Sequence, residues 1–203
     1  MRSLSMNRVM GVKNIIEVTV MIYISKGYVL EHSTEELLFI HRCGADFQLT
    51  GCEAALWLNG RFGFSDADPS FATEHLRRMG LIECEGDDTP LSRYRILTRC
   101  ICCPTDIHGL LPLSWQKARL LEWMREAGLR LTVAELVYLT EYRIAPSERL
   151  LGAENRQRLV SLIYTKRGIQ DNILENQMEH ARCRDIVVES LIGLLRRKRL
   201  VLI

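Results

Sequence analysis

The sequence predicts a mainly α-helical α+β protein with short β-hairpins. Three observations lead to this fold class. Helix-starting signals recur along the 203 residues, apolar residues repeat at helical spacing after them, and strand-like apolar runs lie near both ends. Hydrophobic residues make up 47% and charged residues 26% of the chain, a balance typical of globular proteins. Such a chain can form a hydrophobic core without disulfides or metal ions.

The first strand-like run extends from Ile15 to Ile24. It contains Glu17 and Thr19, is too short to cross a bilayer, and lacks the small-residue cleavage pattern of a secretory signal. Its β-branched residues predict a buried strand. The seven cysteines, an odd number, do not suggest a disulfide framework. We therefore expect a cytoplasmic protein with no membrane partner.

Three capping boxes predict helix starts, at Ser33–Glu36, Thr50–Glu53 and Thr132–Glu135. In each box the hydroxyl and the carboxylate can satisfy backbone N–H groups that the first helical turn leaves unpaired. Gly44 and Gly60 are suited to end the first two of these helices.

A fourth predicted helix leads into the most specific stretch of the chain. Asp68–Pro69 opens it, because aspartate caps helices and proline is tolerated in the first turn, and Gly80 ends it. Leu81–Glu85 then alternates as a strand, a polar turn follows, and Arg93–Thr98 is a second strand-like run. The pattern predicts a helix followed directly by a β-hairpin.

Two segments of this stretch carry a family resemblance. LRRMGLIE at residues 76–83 and YRILT at residues 94–98 together resemble the end of many bacterial winged-helix (winged helix-turn-helix) DNA-binding proteins. The resemblance spans roughly residues 33–99. It implies a winged-helix unit in which the helix reads DNA and the hairpin forms the wing. We therefore expect a domain at 1–104, made of an N-terminal strand segment and the winged helix.

The second expected domain, residues 105–203, is helical. Ser114 is suited to cap a helix that ends near Gly128, and the Thr132 helix follows. A last long helix starting near Cys183 runs into Leu200–Ile203, a predicted strand. This ending again resembles the helix-then-strand part of a winged helix, so a second, degenerate winged helix is an alternative interpretation of the domain.

Polar and basic residues on the fourth helix, on the hairpin and in the basic run near the C-terminus are the candidate DNA contacts. Residues 105–203 hold 16 of the 27 Lys and Arg residues, and this excess favours phosphate binding by that run. The candidates are Ser70, Thr73, Arg77, Arg78, Arg93, Arg95, Arg196, Arg197, Lys198 and Arg199.

Each basic group also has a structural interpretation. Arg93 and Arg95 could pair across the hairpin with Glu83 and Glu85, and cations at the end of a helix interact favourably with its dipole. Four carboxylates between residues 83 and 88 would repel phosphates from the wing. The acidic wing therefore argues against the simplest DNA-binding arrangement.

Cys100, Cys102 and Cys103, with His108, are the one group that resembles a metal site. Structural zinc prefers two separate cysteine pairs, whereas Cys102 and Cys103 are adjacent and no second pair is present, so free thiols are the favoured interpretation. No nucleophile elbow, phosphate-binding glycine loop or zinc-protease motif occurs. We expect no enzyme and no cofactor.

The sequence favours a DNA-binding transcriptional regulator. A homodimer would suit this function, because two-fold operators take two recognition helices. The alternative is a protein–protein interaction adaptor that uses its winged helices for docking, as the acidic wing and near-neutral net charge of +2 suggest. Whether residues 1–30 form a strand pair joined to the wing stays open.

Overall fold

A computed structural model describes residues 20–34, 37–107, 109, 111–127, 131–144 and 173–203. These residues form a mixed α+β structure of seven helices and eight strands. The helices are α1 (Gly51–Asn59), α2 (Phe71–Arg78), α3 (Pro90–Thr98), α4 (Trp115–Ala127), α5 (Val133–Glu141), α6 (Ile173–Met178) and α7 (Arg184–Arg196). The strands are β1 (Met21–Ser25), β2 (Tyr28–Val29), β3 (Leu38–Arg42), β4 (Ala45–Leu49), β5 (Ser65–Ala67), β6 (Ile82–Glu85), β7 (Cys102–Pro104) and β8 (Leu200–Leu202).

The strands form three small antiparallel sheets. β1 is the centre of the first, between β5 and β6, and β3 is the centre of the second, between β2 and β4. β7 and β8 form the third sheet, in which Cys103 lies opposite Val201. The alternation of side chains along β1 places Tyr23 in one core and Ile22 and Ile24 in a larger one. The buried strand predicted near the N-terminus is confirmed for its described residues.

The larger core draws on both halves of the sequence. Ile24 and Tyr94 from the first half are buried together with residues of α4, α5 and α7 from the second. The N–H of Gly27 donates a hydrogen bond of 2.6 Å to the carbonyl of Leu202, which extends the contact to β8. The predicted boundary at residue 104 falls on the last residue of β7 and stays a prediction.

The helix predicted from the Ser33–Glu36 box is wrong, because the segment after it forms the β3–β4 hairpin. Leu38 and Ile40 are buried on one face of β3, and the hairpin turns at Cys43 and Gly44, whose φ angles are 50° and 81°. The Ser33 hydroxyl accepts a hydrogen bond of 3.0 Å from the N–H of Phe39, so it stabilises a turn. The segment follows its two-residue alternation of apolar residues, which favours a strand, and not the local capping signal, which favours a helix.

The prediction of a second wing strand is also wrong, because residues 90–98 form helix α3. The Thr89 hydroxyl accepts a hydrogen bond of 3.1 Å from the N–H of Ser92, and Pro90 occupies the first turn. β6 pairs with β1 instead of with a following strand. Residues 81–98 therefore form no hairpin, and the winged-helix resemblance stays a prediction.

The remaining described helix predictions hold, with differences at their ends. Both reciprocal bonds of the Thr132–Glu135 box are present, at 3.2 and 2.7 Å. Thr50 precedes α1, but its side chain makes no capping hydrogen bond. α2 begins at Phe71 with Ser70 as its cap, two residues after the predicted start at Asp68–Pro69. The predicted C-terminal helix and strand are confirmed as α7 and β8.

Candidate binding surfaces

The two hydroxyl groups predicted to contact DNA on helix α2, the predicted recognition helix, both make hydrogen bonds at its N-terminal cap. Thr73 is buried, and its hydroxyl takes part in a capping box with Ser70, accepting a hydrogen bond of 2.8 Å from the Ser70 N–H. Ser70 is exposed, but its own hydroxyl accepts from the Thr73 N–H at 3.2 Å. Both candidate hydroxyls are therefore engaged at the start of the helix.

The two arginines of α2 share one carboxylate. Arg77 donates two hydrogen bonds of 2.8 and 2.9 Å to Glu74, and Arg78 donates one of 2.9 Å. These bonds lower the pKa of the Glu74 carboxyl to about 2. The same exposed face carries Phe71, whose side chain is 85% exposed. The paired carboxylate offsets part of the positive charge of this face, which weakens any contact with phosphates.

Arg93 and Arg95 are also paired, although with other partners than predicted. Arg93 donates hydrogen bonds of 2.6 and 2.8 Å to Asp88, and Arg95 contacts Glu179 of the second half at 2.7 and 3.1 Å. Their predicted pairing with Glu83 and Glu85 is wrong, because the two arginines lie on a helix.

Arg99, and not Arg93 or Arg95, pairs with Glu83 and Glu85. Its guanidinium lies 2.5 Å from Glu85 and 3.5 Å from Glu83. Glu83 also accepts a hydrogen bond of 2.5 Å from Lys26, whose side chain is only 3% exposed. The acidic residues after α2 thus form an internal ion-pair network.

The basic run 196–199 is largely used to end α7 and hold it to the preceding loop. The N–H groups of Lys198 and Arg199 bond to the carbonyls of Leu195 and Leu194 at 2.9 and 3.0 Å, a Schellman motif with Lys198 at a φ of 58°. The Arg197 side chain donates to the carbonyl of Pro112 at 2.9 Å. Buried Arg199 reaches the carbonyl of residue 109 at 3.4 Å. The residues of this run therefore make different structural contacts instead of forming one cationic surface.

The cysteine group has the properties of buried thiols. Burial raises the pKa of Cys100 to about 12 and that of Cys103 to about 11, and it raises the pKa of Cys102 even further. The thiolate form that binds metals is therefore disfavoured. Within the described ranges, no three His, Cys, Asp or Glu side chains lie close enough to hold a metal ion. His108 lies outside the described residues.

A different surface, on helices α4 and α7, combines exposed apolar groups with a recess. The Trp115 side chain is 67% exposed on α4, and Ile186 is 53% exposed on α7. Between them lies a narrow notch lined by Leu120 and Val187, together with Thr140 and Ser190. We call Trp115, Arg119, Ile186 and this notch the Trp115 surface.

Arg119 connects the exposed tryptophan to a buried one. Its guanidinium carbon lies 4.9 Å from the ring centre of Trp115 and 4.2 Å from that of Trp123, one helical turn to either side. Partial burial lowers the pKa of Arg119. In the part of the chain that the structure describes, no carboxylate lies within salt-bridge distance of Arg119. Its outward N–H groups are thus available to an acceptor from outside.

Comparisons with known proteins identify no relative. No family model, no curated protein and no solved structure matches the chain. None of the helices in the described residues is long and apolar enough to span a membrane.

Sequence reasoning missed the Trp115 surface because α4 and α7 are far apart in the chain. One local signal was present, since Trp115, Arg119 and Trp123 are spaced four residues apart and must stack along one helix face. That spacing predicts the cation–π contacts but not the notch, which needs Ile186 and Val187 from α7.

Proposed function

We propose that this protein is a non-enzymatic interaction adaptor that binds another protein through the Trp115 surface. The observation that carries the proposal is the largely exposed Trp115 beside an apolar notch. Exposed tryptophan is unusual away from interfaces, and Trp and Arg are the side chains most enriched among residues that dominate binding energy. An apolar centre with a polar edge is also the general arrangement of protein interfaces.

The surface specifies the chemistry of its partner. The notch admits only a small apolar group, about the size of a methyl, and its walls are Leu120, Val187, Trp115 and Ile186. Arg119 has lost part of its hydration without gaining a described carboxylate partner, so an incoming carboxylate would form a charge-assisted hydrogen bond there. The expected partner segment therefore presents an apolar anchor next to an aspartate or glutamate.

The test compares full-length wild-type protein with Trp115→Ala, Arg119→Gln and the control Phe71→Ala, which removes an exposed ring from the other half. Proteins retained at stoichiometric amounts by the wild type are purified, and their affinities for all four forms are measured by interferometry. We expect Trp115→Ala to weaken binding by about 30-fold, corresponding to about 2 kcal/mol for a dominant interface residue. Phe71→Ala should bind as the wild type does.

Two outcomes would overturn the proposal. The first is a partner that binds wild type and Trp115→Ala with equal affinity. The second is a concentration-dependent dimer, measured by sedimentation, that disappears in Trp115→Ala, since the surface would then bind a second copy of the chain.

DNA binding is the second candidate function, supported by Arg78, whose side chain is 74% exposed on α2. The Glu74 pairing and the missing wing weaken it. A gel-shift titration with mixed duplex DNA tests it, because phosphate binding must weaken steeply with salt. Salt-sensitive binding that Arg78→Gln reduces would support this candidate, and no binding at low ionic strength would exclude it.

A further inference from the structure

A second recess lies where the two halves of the chain meet, beside the C-terminal end of α7. It has a volume of about 240 Å³ and lies between the turn that follows α1 and the segment that joins α7 to β8. Arg61 and Phe62 form one side, Lys198 and Leu200 form the other, and Ile107 and Leu195 contribute apolar walls. We call this recess the Phe62 cleft.

Two cations of the Phe62 cleft lie on the same aromatic ring. The guanidinium carbon of Arg61 is 4.7 Å from the ring centre of Phe62, and the Lys198 Nζ is 5.7 Å from it. Arg61 also lies 5.8 Å from the ring centre of Trp57. These contacts hold both positive charges at the cleft, since cation–π attraction is strongest for partly desolvated cations.

Neither cation has a negative partner in the described residues. No Asp or Glu lines the cleft, and no carboxylate lies within salt-bridge distance of Arg61 or Lys198 in the ranges that the structure describes. Partial burial also lowers the pKa of Arg61, with no carboxylate to oppose the effect. The buried cations Lys26 and Arg199, by contrast, each have a carboxylate or carbonyl acceptor. Two unpaired cations at one recess repel each other, so an anion bound in the recess would be stabilised.

The main chain that carries both cations is defined by local contacts. Gly60 caps the C-terminal end of α1, and a Cβ atom there would lie 2.6 Å from both the ring of Tyr23 and the hydroxyl of Ser25, so Arg61 leaves the helix along a defined path. Lys198 is held by the Schellman motif at the end of α7, and the Thr105 hydroxyl donates a hydrogen bond of 2.6 Å to its carbonyl. The main chain on both sides of the cleft is therefore fixed, which limits the ordering cost of binding to the side chains.

We propose that the Phe62 cleft binds a small organic carboxylate with a short apolar body. The charge pattern selects an anion, and a guanidinium beside an ammonium suits a carboxylate. The apolar walls formed by Ile107, Leu195 and Leu200 select a hydrophobic body. The volume of about 240 Å³ lies below the range of about 300–1,000 Å³ of sites for drug-sized ligands, so the recess suits a small ligand.

The ligand would connect the two halves of the chain. Arg61 precedes β5 in the first half, whereas Lys198 follows α7 in the second. A carboxylate held by both raises the free energy of unfolding, since a ligand that binds only the folded state stabilises it by mass action. The inference is independent of the Trp115 surface, so either can fail without the other.

The experiment titrates the full-length protein with benzoate in a calorimeter and follows the midpoint of thermal unfolding. Benzamide, which has the same ring without the charge, and acetate, which has the charge without the ring, serve as ligand controls. We expect saturable binding of benzoate and a rising midpoint. Arg61→Gln and Lys198→Gln should each weaken benzoate at least about tenfold, the size of one charge-assisted hydrogen bond. Arg78→Gln, which removes an exposed arginine elsewhere, should have no effect.

Three results would overturn the proposal. They are no saturable binding of benzoate, binding of benzamide or acetate as tight as that of benzoate, and unchanged affinity in Lys198→Gln. The last variant is decisive because Lys198 is exposed and its replacement by glutamine leaves the buried core untouched. Inorganic phosphate distinguishes a general anion site, since binding equal to that of benzoate would remove the role of the apolar walls.

Discussion

The ion pair between Lys26 and Glu83 gives a quantitative test of the core around β1. The Lys26 side chain is 3% exposed and donates a hydrogen bond of 2.5 Å to Glu83, which is 21% exposed and also lies 3.5 Å from Arg99. The two partners therefore differ in the interactions that remain when the other side chain is replaced. Glu83→Gln leaves a buried ammonium without a counter-charge, whereas Lys26→Met leaves a partly hydrated carboxylate that still has Arg99.

The asymmetry predicts unequal losses of stability. Removing one partner of a buried pair costs about 3–5 kcal/mol, so Glu83→Gln should lower the free energy of unfolding by about 3 kcal/mol, since the glutamine oxygen can still accept a hydrogen bond. Lys26→Met keeps the apolar stem and a second cation near Glu83, and it should cost about 1 kcal/mol. The double variant should be more stable than Glu83→Gln alone, because no charge is then buried unpaired.

Urea unfolding followed by circular dichroism measures these differences, provided that the slope against denaturant stays constant among the variants. The reasoning is refuted if Lys26→Met costs as much as Glu83→Gln. It is also refuted if the two losses simply add in the double variant, since additivity would mean that the side chains do not interact.

Three further predictions follow from caps, ion pairs and thiols. Thr89→Ala and Thr132→Ala each remove a capping hydrogen bond and should cost about 1 kcal/mol in urea unfolding, whereas Thr50→Ala, whose side chain makes no such bond, should cost nearly nothing; equal losses would contradict the capping assignments. The Arg95 hydrogen bond lowers the pKa of Glu179 below its usual 4.5 in the folded state. This pair therefore stabilises the fold fully above pH 4.5, and the stabilisation is lost as the pH falls through the lowered pKa. Glu179→Gln should flatten that part of the curve of stability against pH, and an unchanged curve would count against this assignment. Cys43 and Cys52 are exposed and should react quickly with a thiol reagent in native protein, while Cys100 and Cys102 should react only after unfolding; fast native labelling of either buried thiol would be inconsistent with the structure.

Local sequence signals correctly predicted the helices whose first turn is fixed by hydrogen bonds between neighbouring residues. The Thr132 box gave the start of α5 correctly because both of its hydrogen bonds lie within four residues. The alternating charges of Arg93 and Arg95 suggested a strand, yet the Thr89–Pro90 start and the burial of Tyr94 and Leu97 on α3 favoured a helix. At Ser33 the reverse happened, and a helix signal yielded to burial of Leu38 and Ile40 in a sheet.

The candidate surfaces were less accessible to sequence reasoning because distant segments form them. Charged residues chosen as DNA contacts turned out to have partners that only the fold brings near, such as Glu179 for Arg95. The two recesses each need a residue from late in the sequence, Ile186 for the Trp115 surface and Lys198 for the Phe62 cleft. A single sequence gives the types of side chain but not which of them are left unpaired.

Site-specific photo-cross-linking in cells tests the Trp115 surface most directly. A benzophenone amino acid is placed at exposed Gln116, which borders the notch, and for comparison at exposed Arg78 on α2. The adaptor function predicts one discrete protein adduct from position 116 that disappears when Trp115→Ala is added. An adduct with DNA from position 78, together with none from position 116, would contradict it.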